Sequence, residues 1–265
     1  MVSLLKGTAF ITGAAGGIGK ASAFAFAQHG VKNLTITDIN ATLLAATNKE
    51  LKEKFPDVQV LEAQVDVREY HQVSSIIRET GKKFGRLDIA VNNAGIGGSG
   101  GKTHEIDWEE WQRVLDVDLH GVWRCQREEL KLMVDQKDLG PREGRGRIIN
   151  VASMYGIVSP SYTMNHTAYT AAKHAVMGLT KADANSYGRT NIRINAVCPG
   201  YVRTPLVEHK VNKPDTPIMQ DVFRQPFNRL CTVEEIADSI VFLASPMSSF
   251  MQGVGLVVDG GFTTQ

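Results

Sequence analysis

The sequence predicts an α/β fold: a doubly wound parallel sheet with helices on both faces, built as a single domain over residues 1–265. Two observations predict it. Short apolar runs alternate along the whole chain with longer amphipathic or alanine-rich segments, the order that a parallel sheet with crossover helices requires. The runs are continuous rather than alternating, as in Thr8–Thr12, which marks strands buried on both faces. Right-handed crossovers then restrict the topology to a doubly wound sheet. No internal repeat and no linker divides the chain.

The elements follow in order. Strand Thr8–Thr12 runs into Gly13-Ala14-Ala15-Gly16-Gly17-Ile18-Gly19, and helix Lys20–His29 stops at Gly30. A second strand, Asn33–Thr37, ends at Asp38, and helix Ala41–Lys54 is closed by Phe55-Pro56. Strand Val58–Val65, helix Glu69–Phe84 with Gly85 as its stop, and strand Leu87–Val91 come next. Asn92-Asn93-Ala94-Gly95 and a glycine-rich loop, Ile96–Lys102, precede a long helix, Trp108–Val134. Asp135–Arg145 is a polar surface loop. Strand Arg147–Ala152, helix Ala168–Tyr187 and strand Ile192–Val197 follow. Val207–Asn228, carrying Pro214, Pro217 and Pro226, reads as irregular and forms most of a covering loop over about 204–228. Helix Val233–Leu243 and strand Gly255–Val258 complete the pattern.

Composition narrows the class. A hydrophobic content of 43% and a charged content of 22% belong to a soluble globular chain with a substantial core. The net charge of +1, without a basic or acidic block, argues against a nucleic-acid or charged-membrane partner. Cys125, Cys198 and Cys231 are odd in number and far apart, so they suggest reduced structural thiols rather than a disulfide framework or a metal site. No signal segment and no spanning apolar run is apparent, and the cytoplasm is the expected compartment.

The first forty residues carry the first functional signal. A strand, a glycine turn, a helix and a second strand ending in a carboxylate form one unit. Glycines let the backbone turn tightly and approach a pyrophosphate, and the helix N-terminus offers it unpaired N–H groups. Asp38 stands where a carboxylate accepts hydrogen bonds from the adenosine ribose. The glycine spacing is Thr-Gly-x-x-x-Gly-x-Gly (Thr12, Gly13, Gly17, Gly19).

In open parallel sheets ligands bind beyond the carboxyl ends of the strands. Polar or glycine residues stand there in turn: Asp66-Val67, Asn92–Gly95, Ser153 and Pro199-Gly200. Tyr169 and Lys173 are four residues apart, so they share a helical face. Moving a hydride between an alcohol carbon and a nicotinamide requires a proton to move on or off the oxygen. A phenol is a poor base at neutral pH, and a nearby ammonium favours its ionised form. Ser153 can hold the substrate oxygen beside Tyr169.

Together these segments resemble the classical short-chain dehydrogenase/reductase family. Thr12–Gly19, Asp66, Asn92–Gly95, Ser153, Tyr169-x-x-x-Lys173, Pro199-Gly200 and Asp259-Gly260-Gly261 are similar to its motifs in order, over nearly the whole chain. The resemblance implies a Rossmann-type sheet and a single dinucleotide-binding catalytic domain. It also implies an oxidoreductase that interconverts a secondary alcohol and a ketone on a small molecule. Catalysis would rest on Ser153, Tyr169 and Lys173, with Asp118 at the position of a family Asn. The dinucleotide would lie against Gly13, Gly17, Ile18, Gly19, Asp38 and Ile39, with Asp66 and Val67 beside the adenine. Asn93 would steady the sheet and the adenosine side, Ala94 and Gly95 would line the cofactor with it, and Lys173 would also hold the nicotinamide ribose, with Tyr169 against the cofactor as well. The backbone of Pro199, Gly200 and Val202, with Thr204, would hold the carboxamide end. Asp38, with Gly16 where phosphate-binding relatives carry a basic residue, favours NAD over NADP. A homodimer or homotetramer paired through the helices at 108–134 and 168–187 is also implied.

Two departures from the family pattern stand out. Val117-Asp118-Leu119-His120-Gly121 carries Asp118 where the family has an Asn that bends the helix, so that a carbonyl holds a water against the catalytic Lys. Asp118 either lies near Lys173 and offsets its charge or points into solvent. Ser153 also precedes Tyr169 by three residues more than is usual, which enlarges the loop Tyr155–Thr167 and leaves Ser159 and Ser161 as alternative serines. His166 is either a surface residue or an acid, and His120 reads as structural. Tyr162, Met164, Met219, Phe223 and Phe227, in the two covering loops, favour an apolar or ring-containing substrate. Imine reduction, a non-redox cyclisation and a non-catalytic dinucleotide sensor remain as alternatives on the same fold.

Overall fold

Seven parallel strands form one sheet in the order β3-β2-β1-β4-β5-β6-β7. In the computed structural model, which describes residues 3–208, 211 and 215–264, they are β1 (Thr8–Thr12), β2 (Asn33–Asp38), β3 (Gln59–Gln64), β4 (Ile89–Asn92), β5 (Gly146–Val151), β6 (Ile192–Pro199) and β7 (Gly255–Val258). The order reverses between β1 and β4, which pair directly through Ala9–Ile89, Phe10–Ala90 and Ile11–Val91. That reversal opens a crevice at the carboxyl edge, where a ligand can enter without displacing a crossover.

The helices are α1 (Gly17–Gln28), α2 (Ala41–Lys54), α3 (Tyr70–Phe84), α4 (Trp108–Leu115), α5 (Val122–Asp135), α6 (Thr167–Tyr187), α7 (Pro205–Glu208), α8 (Pro217–Arg224) and α9 (Val233–Ala244). Their ends have local causes. Asn40 Oδ1 accepts a hydrogen bond from Leu43 N at 3.0 Å and starts α2. Gly85, at φ +82°, ends α3 in a left-handed conformation that a side chain would resist. Thr232 and Glu235 form a reciprocal capping box that starts α9.

The layers segregate cleanly. Leu34, Ile36, Ile89, Val91 and Ile149 meet Phe26 of α1 and Ile236 and Ile240 of α9 on one face. On the other face Phe10, Ala90, Ile148 and Ile194 meet Ile77 of α3 and Met133 of α5. Each of the larger side chains among these contributes about 1.5–3 kcal/mol by leaving water.

Two expectations need correction. The helix expected over Trp108–Val134 is unbroken but not α throughout: a π-helical segment, Asp116–Gly121, joins α4 to α5. One residue more per turn shifts the face that α5 presents, a device common at functional sites. The stretch expected to be irregular over Val207–Asn228 contains α8. Thr216 accepts from Met219 N at 3.3 Å, and Pro217 sits at the first helical position, where its missing N–H costs nothing. Pro214 and positions 209, 210, 212 and 213 of that stretch lie outside the described residues.

Candidate active site

The glycine turn between β1 and α1 is shaped by close approach. A Cβ on Gly19 would stand 2.1 Å from Gly13 O, and one on Gly13, at φ +67°, would meet Asn93 Nδ2 at 2.7 Å. Asn93 braces this turn: its Nδ2 donates to Thr12 O and Gly13 O at 3.0 and 3.1 Å. The N–H groups of Asn93 and Ala94 both donate to Thr12 Oγ1 at 3.0 Å. Ile18 turns inward and packs against the core. No side chain caps α1, so its first-turn N–H groups are directed at the crevice.

Asp38 ends β2 with its carboxylate oriented by backbone, Oδ2 accepting from Ala15 N at 3.0 Å and Oδ1 from Asn40 N at 2.9 Å. Beside it a cavity of about 260 Å³ is lined by Gly13, Asp38, Ile39, Asp66, Val67, Ala94 and Gly95. Asp66 is engaged by Arg68, whose Nε and Nη2 reach its carboxylate at 3.0 and 2.6 Å. That guanidinium holds the Asp66 carboxyl below the usual carboxylate range. A glycine cradle that a Cβ would fill, an uncapped helix end and an oriented carboxylate beside a slot suit a dinucleotide.

The far side of the crevice comes from the end of β6. A Cβ on Gly200 would lie 2.7 Å from Asp259 Cα, so only glycine permits this crossing. Val202 bridges to Cys231, and Thr204 faces the glycine turn, its Cγ2 3.3 Å from where a Gly17 Cβ would be. Pro199, the last residue of β6, aims this segment. Asp259 accepts from Gly261 N and Thr263 N at 2.9 and 2.8 Å and fixes the C-terminal turn behind it.

Ser153, Tyr169, Lys173 and Asp118 converge beyond β4 and β5. Lys173 is 3% exposed; its Nζ donates to Val151 O at 3.1 Å and lies 5.4 Å from the Tyr169 ring centre. Tyr169 shows part of its surface to the cavity, while its hydroxyl is deep enough that lost hydration raises the phenol above its ordinary value. The ammonium of Lys173, and to a lesser extent the nearby Ser153 hydroxyl, act in the opposite direction. Ser153 is held by Tyr155 N, which donates to its Oγ at 3.1 Å. The alternative serines are used elsewhere: Ser159 Oγ turns to Pro160 O, and Ser161 Oγ pairs with Thr163 and Asp221.

Asp118 does not point into solvent. It is fully buried in the π-helical segment, its Oδ1 accepts from Ile96 N at 2.7 Å, and its Oδ2 lies 3.9 Å from Lys173 Nζ. Burial pushes its carboxyl up to about 6, against the opposing pull of Lys173. His166 lines the substrate side of the cavity, its ring edge-on to Tyr169 at 6.4 Å. His120 pairs with Asp116 at 3.4 Å on the outer surface.

The substrate-side cavity adjoins Ser153 and Tyr169 and is walled by Met154, Tyr155, Met164, Tyr201, Leu206, Val207 and Ile218. Of the five apolar residues that the sequence suggested, Met164 lines it and Met219 packs behind it. Tyr162, Phe223 and Phe227 are 90%, 52% and 67% exposed and do not line it. Tyr155 and Tyr201 were missed, although each follows a motif residue by one or two positions.

A family model described as "Enoyl-(Acyl carrier protein) reductase" matches residues 13–263. A "Short-chain dehydrogenase anuF" of Penicillium roqueforti is 38% identical over 276 residues, covering 100% of this chain and 99% of its own. The chain belongs to the short-chain dehydrogenase/reductase family. It is an oxidoreductase of that family, whose members generally depend on a nicotinamide dinucleotide. Cyclohexanol dehydrogenase of an Acinetobacter species is 36% identical over 258 residues, covering 97% of this chain and 95% of its own. Levodione reductase of Leifsonia aquatica is 35% identical over 256 residues, covering 95% and 92%. A crystal structure of levodione reductase superposes with a TM-score of 0.88 at 34% identity, covering 97% of this chain and 98% of that one. Among the described residues no helix is long and apolar enough to cross a membrane.

Proposed function

We propose that this chain, acting as one catalytic domain, is an NAD(H)-dependent oxidoreductase that interconverts a secondary alcohol and a ketone on a small, ring-containing molecule. The observation that carries the reading is that Tyr169 and Ser153 line one apolar, aromatic cavity, with Lys173 Nζ 5.4 Å from the Tyr169 ring centre. Relatives that act, by their names, on cyclohexanol and levodione support the ring. A bound nicotinamide supplies or accepts the hydride. The protein moves the proton. In reduction the Tyr169 hydroxyl gives its proton to the carbonyl oxygen; in oxidation the phenolate takes it from the alcohol. Ser153 holds that oxygen within reach, and the ammonium of Lys173 stabilises the phenolate.

Gly13, Gly17, Ile18 and Gly19 would hold the pyrophosphate, with Asp38 and Ile39 at the adenosine ribose and Asp66 and Val67 along the adenine. Asn93, Ala94 and Gly95 would support the turn, while Lys173 would take the nicotinamide ribose and Pro199, Gly200, Val202 and Thr204 the carboxamide. Asp38 gives the preference for NAD, because a 2′-phosphate would meet its carboxylate. A homodimer or homotetramer through α4, α5 and α6 fits the large apolar side chains Trp108 of α4 and Trp123 of α5, which are 67% and 48% exposed.

The test is a matrix of purified protein with NAD or NADP against cyclohexanol, methyl-substituted cyclohexanols and linear secondary alcohols, followed by absorbance of the reduced cofactor. Turnover of ring alcohols with NAD is expected. Turnover confined to linear alcohols, or to NADP, contradicts the reading.

A further inference from the structure

A buried carboxylate stands behind the substrate wall, and the proton chemistry above does not use it. Asp221, on α8, is 2% exposed, and its partner Tyr201 belongs to a buried cluster with Met154, Met164, Ile218 and Val222. Tyr201 OH donates to its Oδ2 at 2.9 Å, and Ser161 Oγ donates to the same oxygen at 3.2 Å. Arg224, one turn along the helix, brings Nη1 to 3.9 Å of Oδ1. Tyr155 OH lies 2.5 Å from Tyr201 OH. A phenol has one proton. The carboxylate is a far better acceptor for the proton of Tyr201 than the Met164 sulfur 3.5 Å away. In the remaining bond Tyr155 is therefore the donor, and the chain runs Tyr155 to Tyr201 to Asp221. The two rings meet edge to face at 6.3 Å, each also against Phe262, so the hydroxyls cannot turn away without moving the wall.

We propose that Asp221 is a specificity-determining positioning residue: by committing the protons of Tyr201 and Tyr155, it leaves the aromatic wall without a hydrogen-bond donor for the substrate. The wall then favours a ring ketone whose far end is hydrocarbon over one bearing a second carbonyl. Burying an ion at this depth is expensive unless it is fully paired, and the same wall could be built from apolar residues. What the carboxylate adds is a fixed direction for two hydroxyl protons. The proposal rests on the ring-ketone reading of the cavity.

The experiment compares cyclohexanone with cyclohexane-1,4-dione as the ratio of their kcat/KM values, in the natural protein, Asp221→Leu, Asp221→Asn and Tyr201→Phe. A ratio within one variant cancels general damage to the fold. Asp221→Leu frees the proton of Tyr201, and Tyr201→Phe frees that of Tyr155. In each the ratio should move toward the dione by about tenfold, the effect of one new hydrogen bond in a dry site. Asp221→Asn keeps an acceptor oxygen and should stay within about threefold of the natural ratio. Dissociation constants of the same two ketones, titrated into protein preloaded with NAD so that no reduction occurs, should show the same pattern. An unchanged ratio in Tyr201→Phe, or in an active Asp221→Leu, overturns the proposal. Should the natural protein bind and reduce only non-cyclic ketones, the ring reading falls, and the proposal falls with it. Ring ketones that are reduced with no change of ratio remove the proposal alone.

Discussion

Replacing Asp118 with asparagine should move the alkaline limb of alcohol oxidation to lower pH. The carboxylate is fully buried with Oδ2 3.9 Å from Lys173 Nζ, and it adds to the forces that raise the Tyr169 phenol. Its own titration near 6 leaves it ionised wherever the phenol begins to lose its proton. Two unit charges about 4 Å apart interact by ~4 kcal/mol at an effective dielectric of about 20. Tyr169 feels the same charge at longer range, so roughly half of that, about one to two pKa units, is the size of the expected shift. Asparagine keeps an oxygen for Ile96 N and so keeps the turn. The assay is initial rate against pH for both proteins at saturating cofactor and ring alcohol. A limb displaced downward by about one to two units in the variant is expected. Superimposed profiles would refute the coupling, and large activity gained only in Asp118→Asn would indicate a site whose redox function has lapsed.

Asp38→Ser should narrow the preference for NAD, expected to be about a hundredfold or more in dissociation constant, because like-charge contact with a 2′-phosphate disappears; fluorescence titration with both reduced cofactors measures it. Glu129, fully buried beside Asn92, has its carboxyl pushed up by burial from near 4.5 to about 8. A raised acid pKa means that the unfolded chain binds fewer protons between those values, so folding stability should fall as pH rises through this window and level off above it. Glu129→Gln should remove the part of that fall that lies between about pH 6, where Asp118 has titrated, and pH 8, seen as a Tm that no longer drops over that range. Gly19→Ala would drive a methyl to 2.1 Å from Gly13 O and should abolish cofactor binding, read by titration, whatever remains of the fold.

The sheet, the glycine turn and the helical pairing of Tyr169 with Lys173 were legible because their signals are local. The glycine turn, the acidic end of β2 and the Tyr169–Lys173 spacing each lie within a few residues, where periodicity and steric need act directly. The π-helical segment at Asp116–Gly121 was not legible as such, since one extra residue in a turn leaves the amphipathic pattern of α4 and α5 almost intact. Asp118 was recognised as a departure, but its burial depends on how that turn is aimed. Helix α8 is hidden in the sequence because Pro217, among other prolines, reads as a breaker; with Thr216 before it, the same proline marks a helix start. The wall of Tyr155, Tyr201 and Asp221 joins residues 20 and 46 positions apart, and no local signal announces it.

In the proposed mechanism the Tyr169 hydroxyl carries the proton while the glycine turn and its neighbours hold the cofactor. Tyr169→Phe removes one oxygen and leaves the Lys173 contact to Val151 O in place. The decisive measurement takes ring-alcohol turnover and NADH affinity on the same preparation of this variant. A fall in kcat of about 10²–10⁴-fold or more is expected, with an NADH dissociation constant within a few-fold of the natural protein. Turnover at the natural rate would contradict it.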